Sequence, residues 1–146
     1  RFVKAWRPRM NKKTIIIAVI VLILGILTVI TFSTFGKKPF AKLSADEIVS
    51  AELFIIPPEK TIYLTGKEKI AELTDILNQL VIYREDNSGR EYAGQLVQVT
   101  IKLKNGETHT IGAYNPLLFM NGKCYRTKYE PCHKLNAFGN RILNER

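Results

Sequence analysis

The chain has 146 residues, 46% hydrophobic and 24% charged, with 22 Lys and Arg against 13 Asp and Glu. That suffices for one domain of ordinary size, is too apolar for a disordered chain, and leaves no room for a large two-domain enzyme. Two cysteines cannot frame a disulfide-rich mini-protein, and the net charge of +9 stops reading as a nucleic-acid signal once it is located.

Six cations (Arg1, Lys4, Arg7, Arg9, Lys12 and Lys13) fall in the first 13 residues with no acid among them, and the remainder carries 16 basic against 13 acidic residues. From Thr14 to Phe35 there are 22 uncharged residues, with IIIAVIVLILGILTVI at their heart. About 20 apolar residues at 1.5 Å each cross a hydrocarbon core of roughly 30 Å, so the stretch is long enough to span a bilayer. It exceeds the apolar region of a cleaved signal peptide, and Ser33 to Gly36 is a poor cleavage site. Six Lys and Arg precede the span while Lys37, Lys38 and Lys42 follow it, which keeps the N-terminus cytoplasmic and exports the rest. The expected organisation is a basic cytoplasmic flank (1–13), a transmembrane helix (14–35), a linker (36–43) and an extracytoplasmic domain (44–146) in the plasma membrane. Met10-Asn-Lys-Lys resembles a translation start, so either residues 1–9 lie upstream of it or the chain is the tail of a longer membrane protein.

Within the exported part, Ser44 and Glu47 have the spacing of a capping box ahead of a short helical turn. Val49 to Ile56 reads as a strand ended by Pro57 and Pro58, and Thr61 to Leu64 as a second. Thr65 and Glu68 form another capping box opening a helix whose apolar stripe is Ile70, Leu73, Ile76, Leu77 and Leu80. Residues 81–83 lead out of it into a polar loop, 84–91. Gln95 to Lys104 alternates strictly, with Val97, Val99, Ile101 and Leu103 on one side. Asn105-Gly106 suits a two-residue turn, which places Lys104 opposite Glu107 and Lys102 opposite His109 on the wet face. Leu117 to Met120 and Lys123 to Thr127 form a second hairpin around Asn121-Gly122. A closing helix from Glu130-Pro131 buries Leu135, Phe138, Ile142 and Leu143. The fold class is therefore α+β: an antiparallel sheet of about five strands with two helices, behind one transmembrane helix.

The sequence carries no His-Glu-x-x-His, no Ser-x-x-Lys, no phosphate-binding glycine loop and no calcium loop. No catalytic residue, metal or cofactor is expected, and nucleic acid is not an expected partner. Cys124 and Cys132 are eight residues apart in an oxidising compartment; a disulfide and two separate buried thiols are both open. Tyr125, Arg126, Lys128 and Tyr129 are one candidate binding surface, since Tyr and Arg dominate binding hot spots. Arg84, Glu85 and Asp86 of the polar loop are the second.

Taken together, the basic cluster with Arg-Pro-Arg, the single span, AELFIIPPEKTI (51–62), VIYREDNSGREYAGQ (81–95) and AYNPLLFMNGKCYRTKYEPCHKLN (113–136) resemble a group of exported domains of Gram-positive Firmicutes. These often form the carboxy-terminal part of membrane metallopeptidases of the beta-lactam-sensor, antirepressor type. The resemblance covers roughly residues 3–143 and is most specific at 83–94 and 125–132. It implies an extracytoplasmic sensory or protein-binding module, and it does not bring the peptidase with it, because the metal-binding helix is absent from this sequence. The expected partners are the lipid bilayer, through residues 14–35, and an extracytoplasmic ligand or protein. The alternatives are the sensory tail of a larger membrane metallopeptidase and a structural cell-envelope protein.

Overall fold

The computed structural model describes residues 11–91 and 94–145 of the chain. It divides after Phe35 into two compact units. The basic residues Arg1, Lys4, Arg7 and Arg9 lie outside the described residues.

The first unit is a single helix, α1 (Lys12–Phe35). Its large apolar side chains are exposed all round, from Ile15 through Ile30 to Phe35. A helix apolar on every side has no face to turn to water, and among the described residues one segment, Lys12–Thr31, is long and apolar enough to cross a membrane. Thr28, Thr31 and Thr34 return their hydroxyls to carbonyls three or four residues back, which hides their polarity within the helix.

The second unit is an α+β domain. A 3-10 turn (Ala45–Glu47) leads into β1 (Ile48–Ile56) and β2 (Lys60–Tyr63). Helix α2 (Lys67–Gln79), β3 (Ile82–Glu85) and a second 3-10 turn (Asn87–Glu91) follow, then β4 (Leu96–Leu103), β5 (Thr108–Tyr114), β6 (Leu117–Met120), β7 (Lys123–Thr127) and α3 (Tyr129–Asn144). The sheet is antiparallel, in the order β2-β1-β4-β5-β6-β7-β3. Helices α2 and α3 pack on each other, and α3 lies over β1, β4 and β5. The core between them holds Leu53, Ile55, Val97, Val99, Ile101, Ile111, Ala113 and Leu118 from the sheet, against Leu73, Leu77, Leu135, Phe138 and Ile142 from the helices.

The sheet has seven strands, not about five. The strand missed in the polar stretch is β3, whose four residues include Arg84 and Glu85 and show no alternation long enough to register. Its partner is β7, some forty residues further on.

The β4–β5 register also differs from expectation. Ile101 faces His109 and Lys102 faces Thr108. The loop therefore has three residues, closed by the Leu103 N–H to Glu107 O bond of 2.8 Å and the Gly106 N–H to Leu103 O bond of 3.0 Å. Gly106 takes the left-handed φ of +89° alone, the pattern of a three-residue bulged hairpin. At Asn121-Gly122 both residues have positive φ, 50° and 82°, and the turn there has two residues. A one-residue slip exchanges the faces of a strand. His109 consequently leaves the expected wet face and lies on the helix side, its ring edge-on to Phe40 at 5.4 Å. Asn121 Nδ2 stands 3.2 Å from His109 Nδ1 and Glu107 Oε2 stands 3.4 Å from Nε2.

The capping box expected at Thr65 and Glu68 is not formed. The helix begins one residue later, with Gly66 at the cap at φ +100° and no side-chain cap bond. At Ser44 the box is made, the Glu47 carboxylate accepting the Ser44 N–H at 2.8 Å.

The 36–43 stretch packs against the domain. Lys37 exchanges both backbone bonds with Ile82 (2.7 and 2.8 Å), Phe40 is buried in the core, and Asn78 Nδ2 donates to Leu43 O at 3.1 Å. At Gly36, with φ +67°, a Cβ would collide with Val81 and with the Ile82 carbonyl, so only glycine fits there.

Cys124 and Cys132 are both buried and not bridged to each other. Cys132 sits in the helix-side core and donates to Leu117 O at 3.5 Å. Cys124 pairs with Phe119 on the opposite face, under the 3-10 turn at Gly89. The sheet separates the two thiols, which is why the disulfide does not form. Burial pushes the Cys132 thiol up to about 12, so it stays protonated and poorly nucleophilic.

Candidate functional site

Pairing of β3 with β7 brings the two candidate groups to one edge of the sheet, with Tyr125 and Glu85 on its helix side and Arg126 and Asp86 on the other. Glu85 lies directly across from Tyr125, and the Asp86 N–H donates to Cys124 O at 2.9 Å. Arg126 Nε then reaches Asp86 Oδ2 at 2.7 Å, and Lys123 Nζ reaches Glu85 Oε1 at 2.6 Å. The Ser88 side chain and N–H hydrogen-bond Asp86 and, with Arg126, hold its carboxyl down at about 2. The hydrogen bond from Lys123 to Glu85 raises the lysine above its ordinary value. Much of the charge on this surface is thus committed internally, and Arg84 and Lys128 stand exposed beside it.

Lys128 caps α3, and its N–H bonds Val81 O at 3.1 Å, which fixes where the helix begins. Tyr129, the first helical residue, is 60% exposed and stacks on His133 one turn later, with centroids 5.6 Å apart and planes 10° from parallel. This ring pair borders a cleft of about 380 Å³ between the start of α3 and the ends of β4 and β5, also lined by Gln95, Tyr114, Asn115 and Asn136. Its volume falls in the range of small-molecule pockets, roughly 300–1,000 Å³.

Three amides line the cleft, each with one end tied to the protein. Asn115 Nδ2 donates to Tyr129 O at 3.5 Å, Gln95 Nε2 to Pro57 O at 3.1 Å, and Asn136 Oδ1 accepts from Asn140 Nδ2 at 2.9 Å. Asn115 Oδ1 is buried and accepts no hydrogen bond among the described residues. Leaving a buried acceptor unpaired costs about 1–3 kcal/mol, and a donor brought to it removes that cost.

Of the sequence-predicted residues, Tyr129 alone lines this cleft. Tyr125, Arg126, Arg84, Glu85 and Asp86 lie along the β3–β7 edge of the sheet, outside the cleft lining. Gln95, Asn115 and Asn136 had no signal of their own, because they are 20 or more residues apart and meet only when the β5–β6 turn approaches α3. The Asn115-Pro116 break was the one local cue. Among the described residues no three His, Cys, Asp or Glu side chains converge as a metal site. Comparison of the chain with protein-family models, with curated proteins and with solved structures finds no match in any of the three.

Proposed function

We propose that the protein is a single-span membrane protein presenting a non-catalytic binding domain on the outer face of the plasma membrane, with a sensory or ligand-capturing role. The observation that carries this reading is the contrast between the two units. Helix α1 is apolar all round and exposed, while the domain of residues 36–146 closes a core of its own. A long apolar helix that a small domain does not need for its core belongs in lipid. The excess of cations before the helix supports a cytoplasmic N-terminus. The resemblance to outer domains of membrane metallopeptidase sensors supports a sensory role. The cleft at Tyr129 and the β3–β7 edge of the sheet are the places where a ligand or protein would be met.

The test is site-specific thiol labelling of intact cells with a membrane-impermeant maleimide. The native cysteines are buried and give little background. Lys67→Cys, on the exposed start of α2, is expected to label in intact cells, and Asn11→Cys only after permeabilisation. The opposite pattern would overturn the orientation, and equal labelling of both after aqueous extraction would overturn the anchor.

A further inference from the structure

We infer that the cleft at the start of α3 is a saccharide site, taking one or two rings of a neutral oligosaccharide. The inference deepens the reading of an outward-facing binding domain and rests on it for where the ligand is met.

A pyranose presents two kinds of surface: flat C–H faces that are apolar, and a rim of hydroxyls that both donate and accept. The cleft offers the counterpart of each. Tyr129 and His133 are stacked in parallel and the tyrosine ring is largely exposed, giving a flat platform whose orientation is already fixed. The amides around it are oriented by bonds to the protein, so little ordering is left for binding. What they keep at hand alternates in kind: the Asn115 and Gln95 oxygens accept, and the Asn136 Nδ2 donates. A hydroxyl that donates to the buried Asn115 Oδ1 would satisfy the orphaned acceptor there. The side chains that line the cleft among the described residues are neutral amides and aromatic rings, which suit a neutral ligand. On the β3–β7 edge, Glu85 and Asp86 are already paired with Lys123 and Arg126.

The experiment uses the full chain in lipid nanodiscs, since many detergents carry sugar headgroups. Saturation-transfer NMR is run with two neutral probes, cellotriose and triacetylchitotriose, and with trialanine as a peptide control. Transfer to at least one sugar is expected, with Tyr129→Ala and Asn136→Ala each weakening the interaction at least about tenfold. Both side chains reach solvent, and thermal melts of the variants confirm that they fold. Lys67→Ala, outside the cleft, is expected to bind as the parent does. No transfer to either sugar would overturn the inference, transfer unchanged in both cleft variants would overturn the location, and tighter binding of trialanine would overturn the ligand class. Because the assay is indifferent to orientation in a cell, its failure leaves the topology standing, and a failed topology leaves its result standing.

Discussion

The carboxylate of Asp86 accepts hydrogen bonds from Ser88 and from Arg126, and all of them favour its ionised form. Its ordinary value of 3.8 falls to about 2 in the folded chain. A lowered carboxyl stabilises the fold above its unfolded value, and that contribution disappears as pH falls through the folded one. Asp86→Asn is therefore expected to lower the melting temperature at pH 7, and the difference from the parent is expected to shrink between pH 4 and pH 2. A difference that persisted at pH 2 would mean that the side chain acts through packing. Gly139 gives a test of opposite logic. In an exposed helix Gly→Ala gains about 1 kcal/mol. Here a Cβ would overlap Val97 Cγ1 on β4, so Gly139→Ala is expected to destabilise by about 1–3 kcal/mol in denaturant unfolding. Adding Val97→Ala is expected to recover part of that loss relative to the sum of the single changes, because the two share one space.

At the scale of elements, the two Asn-Gly hairpins share a dipeptide and differ in consequence. Asn121 sits at φ 50°, accepts the Thr110 N–H at 2.9 Å and contacts His109, whereas Asn105 accepts the Glu107 N–H two residues on, at 2.9 Å. Asn121→Ala is expected to cost about 1–2 kcal/mol and Asn105→Ala about 0.5–1 kcal/mol, measured by chemical unfolding. The same contrast shows what was legible in the sequence. Helices α2 and α3 and strand β4 announce themselves through periodicity, since Leu73, Leu77, Leu135 and Phe138 must share a face whatever surrounds them. An Asn-Gly pair announces a turn but permits two loop lengths, and the residue of difference decides which face receives His109. Strand β3 and the cleft were not legible for a different reason. Their partners are distant in the chain, and no local pattern encodes that Glu85 will meet Tyr125 or that Asn115 will meet Tyr129.

For the whole molecule, the boundary between helix α1 and the domain is set by residues 36–43. Deleting residues 12–35 is expected to move the protein from the membrane pellet to the soluble fraction while leaving the domain's melt unchanged. Deleting residues 12–43 removes Phe40 and the Lys37–Ile82 pairing as well. That longer deletion is expected to destabilise the domain by at least about 3 kcal/mol, the usual cost of losing a buried phenylalanine. Equal stability of the two products would return this stretch to the status of a passive connector.

The placement of β3 at the edge of the sheet, paired with β7, bears on how the protein is made. The chain emerges from the ribosome N-terminus first. Ile82–Glu85 must therefore wait without their neighbour until Lys123–Thr127 have also emerged. Until then the central strands expose apolar faces and an open edge, the condition in which nascent chains aggregate or recruit holding chaperones. The sheet is complete only once some forty further residues have followed β3 out, so the domain cannot close strand by strand as it emerges.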